Sequence, residues 1–154
     1  LNVANETMSD QEVTVRYALR NADGEILREG SVSLTVPALS SRWLSKEDME
    51  DAELYSNYVS YEMETEGKVI SGGSVMFCAP KHFRFHDPKM RVRAEGNELV
   101  VTASAYARSI EIINEDDDML LEDNYFDMNG GERRIRIVRG NPTGLKVRSV
   151  YDIR

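Results

Sequence analysis

The sequence contains a single cysteine, Cys78, among its 154 residues. One thiol cannot form an internal disulfide, so a small disulfide-stapled scaffold is excluded. No apolar run approaches the roughly 20 residues that a membrane-spanning helix needs, so we expect no membrane partner. The chain starts at Leu1 without an initiator methionine or a signal-peptide pattern, and we therefore expect an excised fragment of a longer protein.

Basic charge is also scarce, since 19 Lys and Arg stand against 27 Asp and Glu, for a net charge of -8. A surface of this sign repels phosphate backbones, which excludes nucleic acid as the main partner. Apolar residues at 41% and charged residues at 30% are typical of globular domains. We expect a soluble protein of the bacterial cytoplasm or periplasm rather than a disulfide-rich extracellular one, and the compartment itself stays open.

Metal-binding side chains are few or wrongly spaced. His82 and His86 are the two histidines of the chain. Pro80 and Pro88 disfavour the helix that would direct both rings at one metal, and in a strand the two residues lie about 13 Å apart. The acidic run at 115–118 lacks the alternating ligands and central glycine of an EF-hand loop. The sequence thus predicts no metal site and no cofactor.

Alternation of apolar and polar residues at the period of a β-strand is the dominant pattern. It is clearest at 13–20, which a turn at 21–24 connects to a second alternating run at 32–36, so the two are predicted to form a hairpin. Further strands are predicted near 59–63, 69–77, 90–94, 99–103, 110–113, 135–137 and 145–151.

Two local features interrupt this pattern. Ser45 is a candidate helix N-cap, with Leu44 and Met49 placed as a hydrophobic staple, so a helix of one or two turns is predicted there. Gly72 and Gly73 lie inside a predicted strand, where glycine marks a bulge or a close approach of the backbone.

The spacing of the strands, about ten residues from turn to turn, predicts an all-β fold. We expect two tandem immunoglobulin-like β-sandwich domains, at residues 1–78 and 89–154, joined by a linker at 79–88 where the strand pattern breaks. About five strands can be placed in the first domain against the roughly seven of a complete sandwich, so this domain is predicted to be incomplete at its N-terminus.

The segment 123–132, DNYFDMNGGE, places two aromatic residues between carboxylates and ends in a glycine pair. Glycine adopts positive φ readily, so the segment predicts a short strand that enters a tight turn at Gly130-Gly131. Tyr125 and Phe126 are predicted to anchor this strand in the core. The residues that we take as a structural signature are Asp123, Asn124, Tyr125, Phe126, Asp127, Gly131 and Glu132.

Two stretches of the chain resemble the C-terminal β-sandwich domains of β-mannosidases from glycoside hydrolase family 2. Residues 77–90, FCAPKHFRFHDPKM, resemble the junction between the last two domains, and residues 121–132, LEDNYFDMNGGE, resemble a segment of the final domain. Gly130 stands where that family usually has a proline. In these enzymes the catalytic glutamates lie on an upstream (β/α)8 barrel of about 250 residues, one of them in an Asn-Glu pair.

The resemblance implies a non-catalytic C-terminal region of a β-mannosidase-like exo-glycosidase, which hydrolyses O-glycosyl bonds at non-reducing ends. The partner would be the upstream barrel of the same chain. The Asn-Glu pairs at 5–6 and 114–115 match no catalytic motif, so no catalytic residue is predicted.

Two alternatives to the accessory region stay open. One is a carbohydrate-binding module with weak glycan contact, for which the candidate aromatic platform is Trp43, Tyr55, Tyr58 and Tyr61. Tyr58 and Tyr61 face opposite sides of a predicted strand, which favours packing over sugar binding. The other alternative is an adhesive immunoglobulin-like module. The sugar specificity of the parent enzyme and the oligomeric state are also left open.

Overall fold

Strands dominate residues 1–153, the part of the chain that this computed structural model describes, with 58% strand against 5% helix. The predicted all-β class is therefore confirmed. In chain order the strands are β1 (Asn2–Asn5), β2 (Gln11–Asn21), β3 (Ile26–Val36), β4 (Ser40–Trp43), β5 (Asn57–Thr65), β6 (Lys68–Met76), β7 (Arg91–Glu95), β8 (Glu98–Ile113), β9 (Leu120–Leu121), β10 (Phe126–Arg139) and β11 (Lys146–Arg148). A 3₁₀ turn spans Pro80–His82, and a short helix α1 spans Val150–Ile153.

The first sheet is antiparallel, with strand order β3-β2-β5-β6. The predicted hairpin is confirmed as β2 and β3, which pair Val13 with Leu34 and Val15 with Val32. The short strands β1 and β4 pair with each other and form a second, two-stranded sheet. The two layers enclose a core of buried valines, Val3, Val13, Val15 and Val36.

The helix predicted to begin at Ser45 is wrong, because residues 44–49 have no helical structure. The polar groups of this segment bond to the outside of the β2–β3 hairpin instead. Tyr17 Oη donates to Glu47 Oε1 at 2.8 Å, and Arg28 Nη2 donates to the Asp48 carbonyl at 2.6 Å. A helix of one turn makes few internal hydrogen bonds, so these outside contacts decide the conformation.

The glycine pair of β6 lies in a close approach, and the bulge falls beside it. Ile70 is skipped in the pairing of β5 with β6, where the register passes from Met63–Ser71 to Glu64–Val69. A Cβ at Gly73 would stand 3.0 Å from the hydroxyl oxygen of Tyr61. The absence of a side chain there makes room for the tyrosine ring.

The second main sheet is built on β8, a strand of 16 residues. β10 pairs with β8 from Glu98 to Ile110, while β7 pairs with the start of β8 and β11 pairs with its last three residues. The strand β9 adds to the far side of β10. One face of the sheet carries the larger core, formed by Leu99, Val101, Ala103, Ala107, Ile110, Ile112, Phe126, Met128 and Ile135.

A bulge at Ser109 explains how β8 contributes buried side chains to this core along its whole length. The inward residues are odd-numbered up to Ala107 and even-numbered from Ile110 onward. Side chains of a regular strand alternate with a period of two, so one extra residue is required to change the parity. Ser109 has a positive φ of 50° and lies where the β8–β10 register shifts.

Aromatic residues fill the junction between the two main sheets. The rings of Tyr58 on β5 and Tyr106 on β8 stack with centroids 3.7 Å apart, and Phe83 and Phe85 pack against them. Both phenylalanines are buried although they belong to the segment that we predict as a linker. The division into residues 1–78, 79–88 and 89–154 stays a prediction.

Candidate functional site

The signature segment lies at the start of β10, and Asp123 is its first charged contact. Its carboxylate, just before β10, forms an ion pair with Nη2 of Arg133 on β10. The Arg133 guanidinium carbon in turn lies 4.2 Å above the centroid of the Phe126 ring. This cation–π contact closes the outer side of the ring while its inner side faces the core.

Asn124 substitutes for a neighbouring strand. Its Oδ1 accepts from the Ile112 backbone N–H at 3.0 Å, and its Nδ2 donates to the Ile112 carbonyl at 3.1 Å. An amide side chain offers one acceptor and two donors, so it can satisfy both backbone groups of one strand residue. The residue thereby extends the pairing along β8 beyond the end of β10.

Tyr125 and Phe126 have opposite environments. Phe126 is buried in the larger core, whereas the Tyr125 side chain is 64% exposed, so the prediction that Tyr125 anchors the strand is wrong. The backbone explains this outcome, because Tyr125 adopts a positive φ of 62°, which breaks the alternation of a regular strand. Its ring is held outside by a 2.8 Å hydrogen bond from Oη to Glu111 Oε1.

Asp127 connects the two main sheets. Its Oδ1 accepts from the backbone N–H of Ser109 at 2.8 Å, which satisfies the bulge of β8, and its Oδ2 accepts from the Ser74 hydroxyl on β6. Ser74 is also bonded at 2.5 Å to the hydroxyl of Tyr106. Asp127 therefore holds the bulge of β8 in the second sheet and bonds to β6 of the first sheet.

The glycine pair does not reverse the chain, so the predicted tight turn is wrong. β10 runs continuously from Phe126 to Arg139, and Gly130 and Gly131, with φ of 90° and 86°, form an irregularity within it. The register against β8 shifts between Asn129 and Gly131. Glu132 follows the bulge and forms ion pairs with Arg93 at 3.8 Å and with Arg134 at 3.4 Å.

An open groove lies between β6 of the first sheet and the start of β10 in the second, and we call it the inter-sheet groove. It encloses about 900 Å³. Its lining is mostly polar, with carboxylates, guanidinium groups, hydroxyls and glycine backbone from both sheets. The charged and hydroxyl-bearing side chains of the lining include Glu62, Ser74, Arg108, Asp123, Tyr125, Asp127, Glu132 and Arg133.

Burial and hydrogen bonding shift several pKa values around the junction and the groove. Burial raises the pKa of Tyr58 and that of Tyr106, which keeps both phenols neutral. Hydrogen bonds from Arg148 and then from Tyr125 lower the pKa of the Glu111 carboxyl. The bond to Glu111 raises the pKa of Tyr125.

The histidines and the acidic pairs lie apart from the groove lining. His86 Nδ1 lies 2.7 Å from Asp23 Oδ1, while His82 belongs to the 3₁₀ turn. In the Asn-Glu pairs the asparagines hold loops, since Asn5 Nδ2 donates to the Val36 carbonyl at 2.9 Å and Asn114 Nδ2 donates to the Asn141 carbonyl at 3.0 Å. Among residues 1–153, no group of three His, Cys, Asp or Glu side chains is placed to hold a metal ion.

The four aromatics considered as a sugar platform do not form one. Tyr58 is fully buried in the junction and Tyr61 lines the inter-sheet groove, whereas Trp43 on β4 is 79% exposed and Tyr55 is 49% exposed. The sequence offered no signal for Tyr125 as the exposed ring of the groove, because its exposure depends on a positive φ that non-glycine residues rarely adopt. Across residues 1–153, no helix has the length and apolar character needed to cross a membrane.

Two packed β-sandwich units with a polar groove between their main sheets define the class of this protein. Family models identify these units. The chain belongs to the mannosidase Ig/CBM-like domain family, which matches residues 1–82, and an Ig-fold domain of mannosidases matches residues 85–153. The predicted immunoglobulin-like class and the resemblance to β-mannosidase domains are thereby confirmed.

Solved structures with the same fold belong to much longer chains. A β-D-mannosidase from Dictyoglomus thermophilum matches 96% of this chain with a TM-score of 0.76 and 18% identity, over 20% of its own length. The exo-chitosanase CsxA from Amycolatopsis orientalis matches 96% with a TM-score of 0.61 and 12% identity, over 25% of its own length. This chain thus spans about a fifth to a quarter of those proteins. A comparison with curated protein sequences finds no match.

Proposed function

We propose that the chain is the non-catalytic C-terminal region of a β-mannosidase-like exo-glycosidase, in which it supports an upstream (β/α)8 catalytic barrel of the same chain. The observation that carries the proposal is the pair of mannosidase domain matches, which together span residues 1–82 and 85–153. The small share of each neighbouring chain that these sandwiches cover, 20–25%, supports the presence of a further domain.

The bonding of the carboxylates supports a structural rather than a catalytic role. Glycoside hydrolysis requires two carboxyl groups that face a bound sugar, about 5 to 9.5 Å apart, one as acid and one as base or nucleophile. Asp123 is instead neutralised by Arg133, and Asp127 is occupied by Ser74 and the Ser109 backbone. Each carboxylate thus has a partner that stabilises local structure, which supports a structural role for both.

We also propose that the sandwiches are separate units of one chain, at residues 1–78 and 89–154. Two features support this division: within residues 1–153 no strand is shared between the two main sheets, and the two family matches end at 82 and start at 85. The segment 79–88 connects the units and fills the space between them with Phe83 and Phe85.

The proposal is tested by assaying the purified 154-residue chain for hydrolysis of aryl β-mannoside and aryl β-glucosaminide. We expect no turnover above the buffer rate, because Asp123 is paired with Arg133 and Asp127 is held by Ser74 and the Ser109 backbone. Asp127→Asn and Glu62→Gln serve as matched variants. Hydrolysis by the wild-type chain that either variant abolishes would overturn the proposal.

A further inference from the structure

We propose that the inter-sheet groove is a binding site for a short glycan, in which one sugar ring stacks on Tyr125 and its hydroxyls bond to the Asp123–Arg133 pair. This inference does not rest on the accessory role, which requires no sugar. Of the four aromatics considered from the sequence, Tyr61 also lines the groove, whereas Trp43, Tyr55 and Tyr58 do not.

Tyr125 is prepared for stacking by two fixed points. Its backbone N–H donates to the Ile110 carbonyl at 2.8 Å, and its hydroxyl donates to Glu111 Oε1 at 2.8 Å. The ring between these points is 64% exposed and lines the groove. A rigid exposed aromatic face suits the apolar C–H face of a pyranose, and little ordering entropy is lost when the sugar binds.

The conformation of Tyr125 indicates that its exposure is imposed by the fold. The residue has a positive φ of 62°, which costs free energy for any residue with a Cβ. Ser109, a second non-glycine residue with positive φ, also lines the groove. Backbone strain of this kind persists where the surroundings hold it, and here it keeps a large aromatic ring in solvent rather than in the neighbouring core.

The polar groups beside the ring match sugar hydroxyls. Asp123 provides acceptors and Arg133 provides donors in a planar arrangement, and both have exposed portions, 43% and 39% of their side chains. Arg108 also lines the groove, and its Nη1 is buried and has no hydrogen-bond partner among residues 1–153. An unsatisfied buried donor is costly, and an acceptor carried into the groove would satisfy it.

The charge of the lining excludes other ligand classes. Glu62, Asp123, Asp127 and Glu132 bring four carboxylates against the two guanidinium groups of Arg108 and Arg133, and this excess repels phosphates and nucleic acid. The mostly polar wall disfavours lipids and apolar small molecules, whose sites are largely hydrophobic. A polyhydroxylated sugar, neutral or carrying an amine, fits both conditions.

The test is a titration of the ¹⁵N-labelled 154-residue chain with β-1,4-mannotriose and, separately, with the β-1,4-linked trimer of glucosamine, followed by NMR. We expect saturable shifts for at least one probe, centred on Tyr125, Asp123 and Ser74, with a dissociation constant on the order of 1 mM. Tyr125→Ala should weaken this binding at least tenfold, because the stacking surface is lost.

Matched variants separate the groove from other exposed aromatics. Tyr55→Ala and Trp43→Ala remove exposed rings elsewhere and should leave binding unchanged. Asp123→Asn keeps the shape of the groove and should weaken binding several-fold even if Tyr125→Ala fails to fold. No saturable shift for either probe up to about 20 mM would overturn the inference, given the expected millimolar affinity. Loss of binding in the Trp43 or Tyr55 variant would do the same.

Discussion

The two sandwiches differ sharply in how much core each encloses. The first buries four valines between a four-stranded sheet and a pair of four-residue strands. The second buries nine apolar residues, all of them on β8 and β10, among them Phe126, Ile110 and Leu99. Since stability grows with the apolar area removed from water, the second sandwich should hold most of the stability of the chain.

This difference explains why the junction matters to the first sandwich. Its largest buried side chain, Tyr58, does not enter the valine core but packs against Tyr106, Phe83 and Phe85 at the junction. The first sandwich therefore obtains part of its apolar burial from residues that follow it in the chain.

Phe126→Ala tests the larger core and should cause the largest loss of stability of the variants considered. Removing a buried aromatic ring leaves a cavity, so we expect a loss of about 3 to 5 kcal/mol in the free energy of unfolding. Urea denaturation followed by circular dichroism measures it. Leu120→Ala, at a half-exposed position of the same sheet, is the control and should change stability little. An unchanged melting temperature in Phe126→Ala would contradict the role of this ring.

Val15→Ala tests the smaller core in the same way. Val15 is 3% exposed, and the loss of two methyl groups should cost about 2 kcal/mol. The control is Val75→Ala on β6, whose side chain is 48% exposed. If Val15→Ala lowered the unfolding free energy more than Phe126→Ala does, the first sandwich would be the main source of stability and the comparison would be reversed.

Tyr58→Phe examines the junction and should have the smallest effect at neutral pH. The variant loses the 2.8 Å hydrogen bond from Tyr58 Oη to Asn129 Oδ1, which we expect to cost about 1 kcal/mol. Tyr55→Phe removes the hydroxyl of a half-exposed tyrosine and serves as the control.

Wild type and Tyr58→Phe should also differ in how their stability changes at alkaline pH. Burial raises the pKa of Tyr58 in the folded state above its unfolded value of about 10. The folded state therefore keeps the full stabilisation from the neutral phenol below pH 10. Above pH 10 the unfolded state loses its phenol proton first, so the free energy of unfolding falls by about 1.4 kcal/mol per pH unit. Phenylalanine does not titrate, so the stability gap between wild type and variant should close above pH 10. Denaturation curves between pH 7 and 11 measure the gap, and a constant gap would contradict the burial of the phenol.

Patterns local to one strand were predictable from the sequence. The β2–β3 hairpin follows from the alternation at 13–20 and 32–36, which leaves one face apolar whichever neighbour covers it. The β-mannosidase resemblance depends on similarly local stretches, at 77–90 and 121–132. The hairpin and the resemblance were confirmed, because each depends only on residues that are close together in the sequence.

Features that depend on distant partners were not predictable. Ser45 has the sequence of a helix start, but the loop that follows bonds through Glu47 and Asp48 to the β2–β3 hairpin. The pair Gly130-Gly131 is typical of a turn in sequence, yet both residues adopt their positive φ values inside the paired strand β10. The inter-sheet groove joins Ser74 to Asp127, 53 positions apart, so only the folded chain brings its walls together.

The shared aromatic junction determines what would happen if proteolysis cut the chain between Met76 and Pro88. Either fragment would be left with a newly exposed apolar surface, Tyr58 on one and Tyr106 on the other, where stacked rings had excluded water. Exposed patches of this kind promote self-association. Nicked protein should therefore aggregate rather than separate into two soluble halves. The intact segment from 79 to 88 thus keeps the aromatic surfaces of the two units covered as well as connecting them.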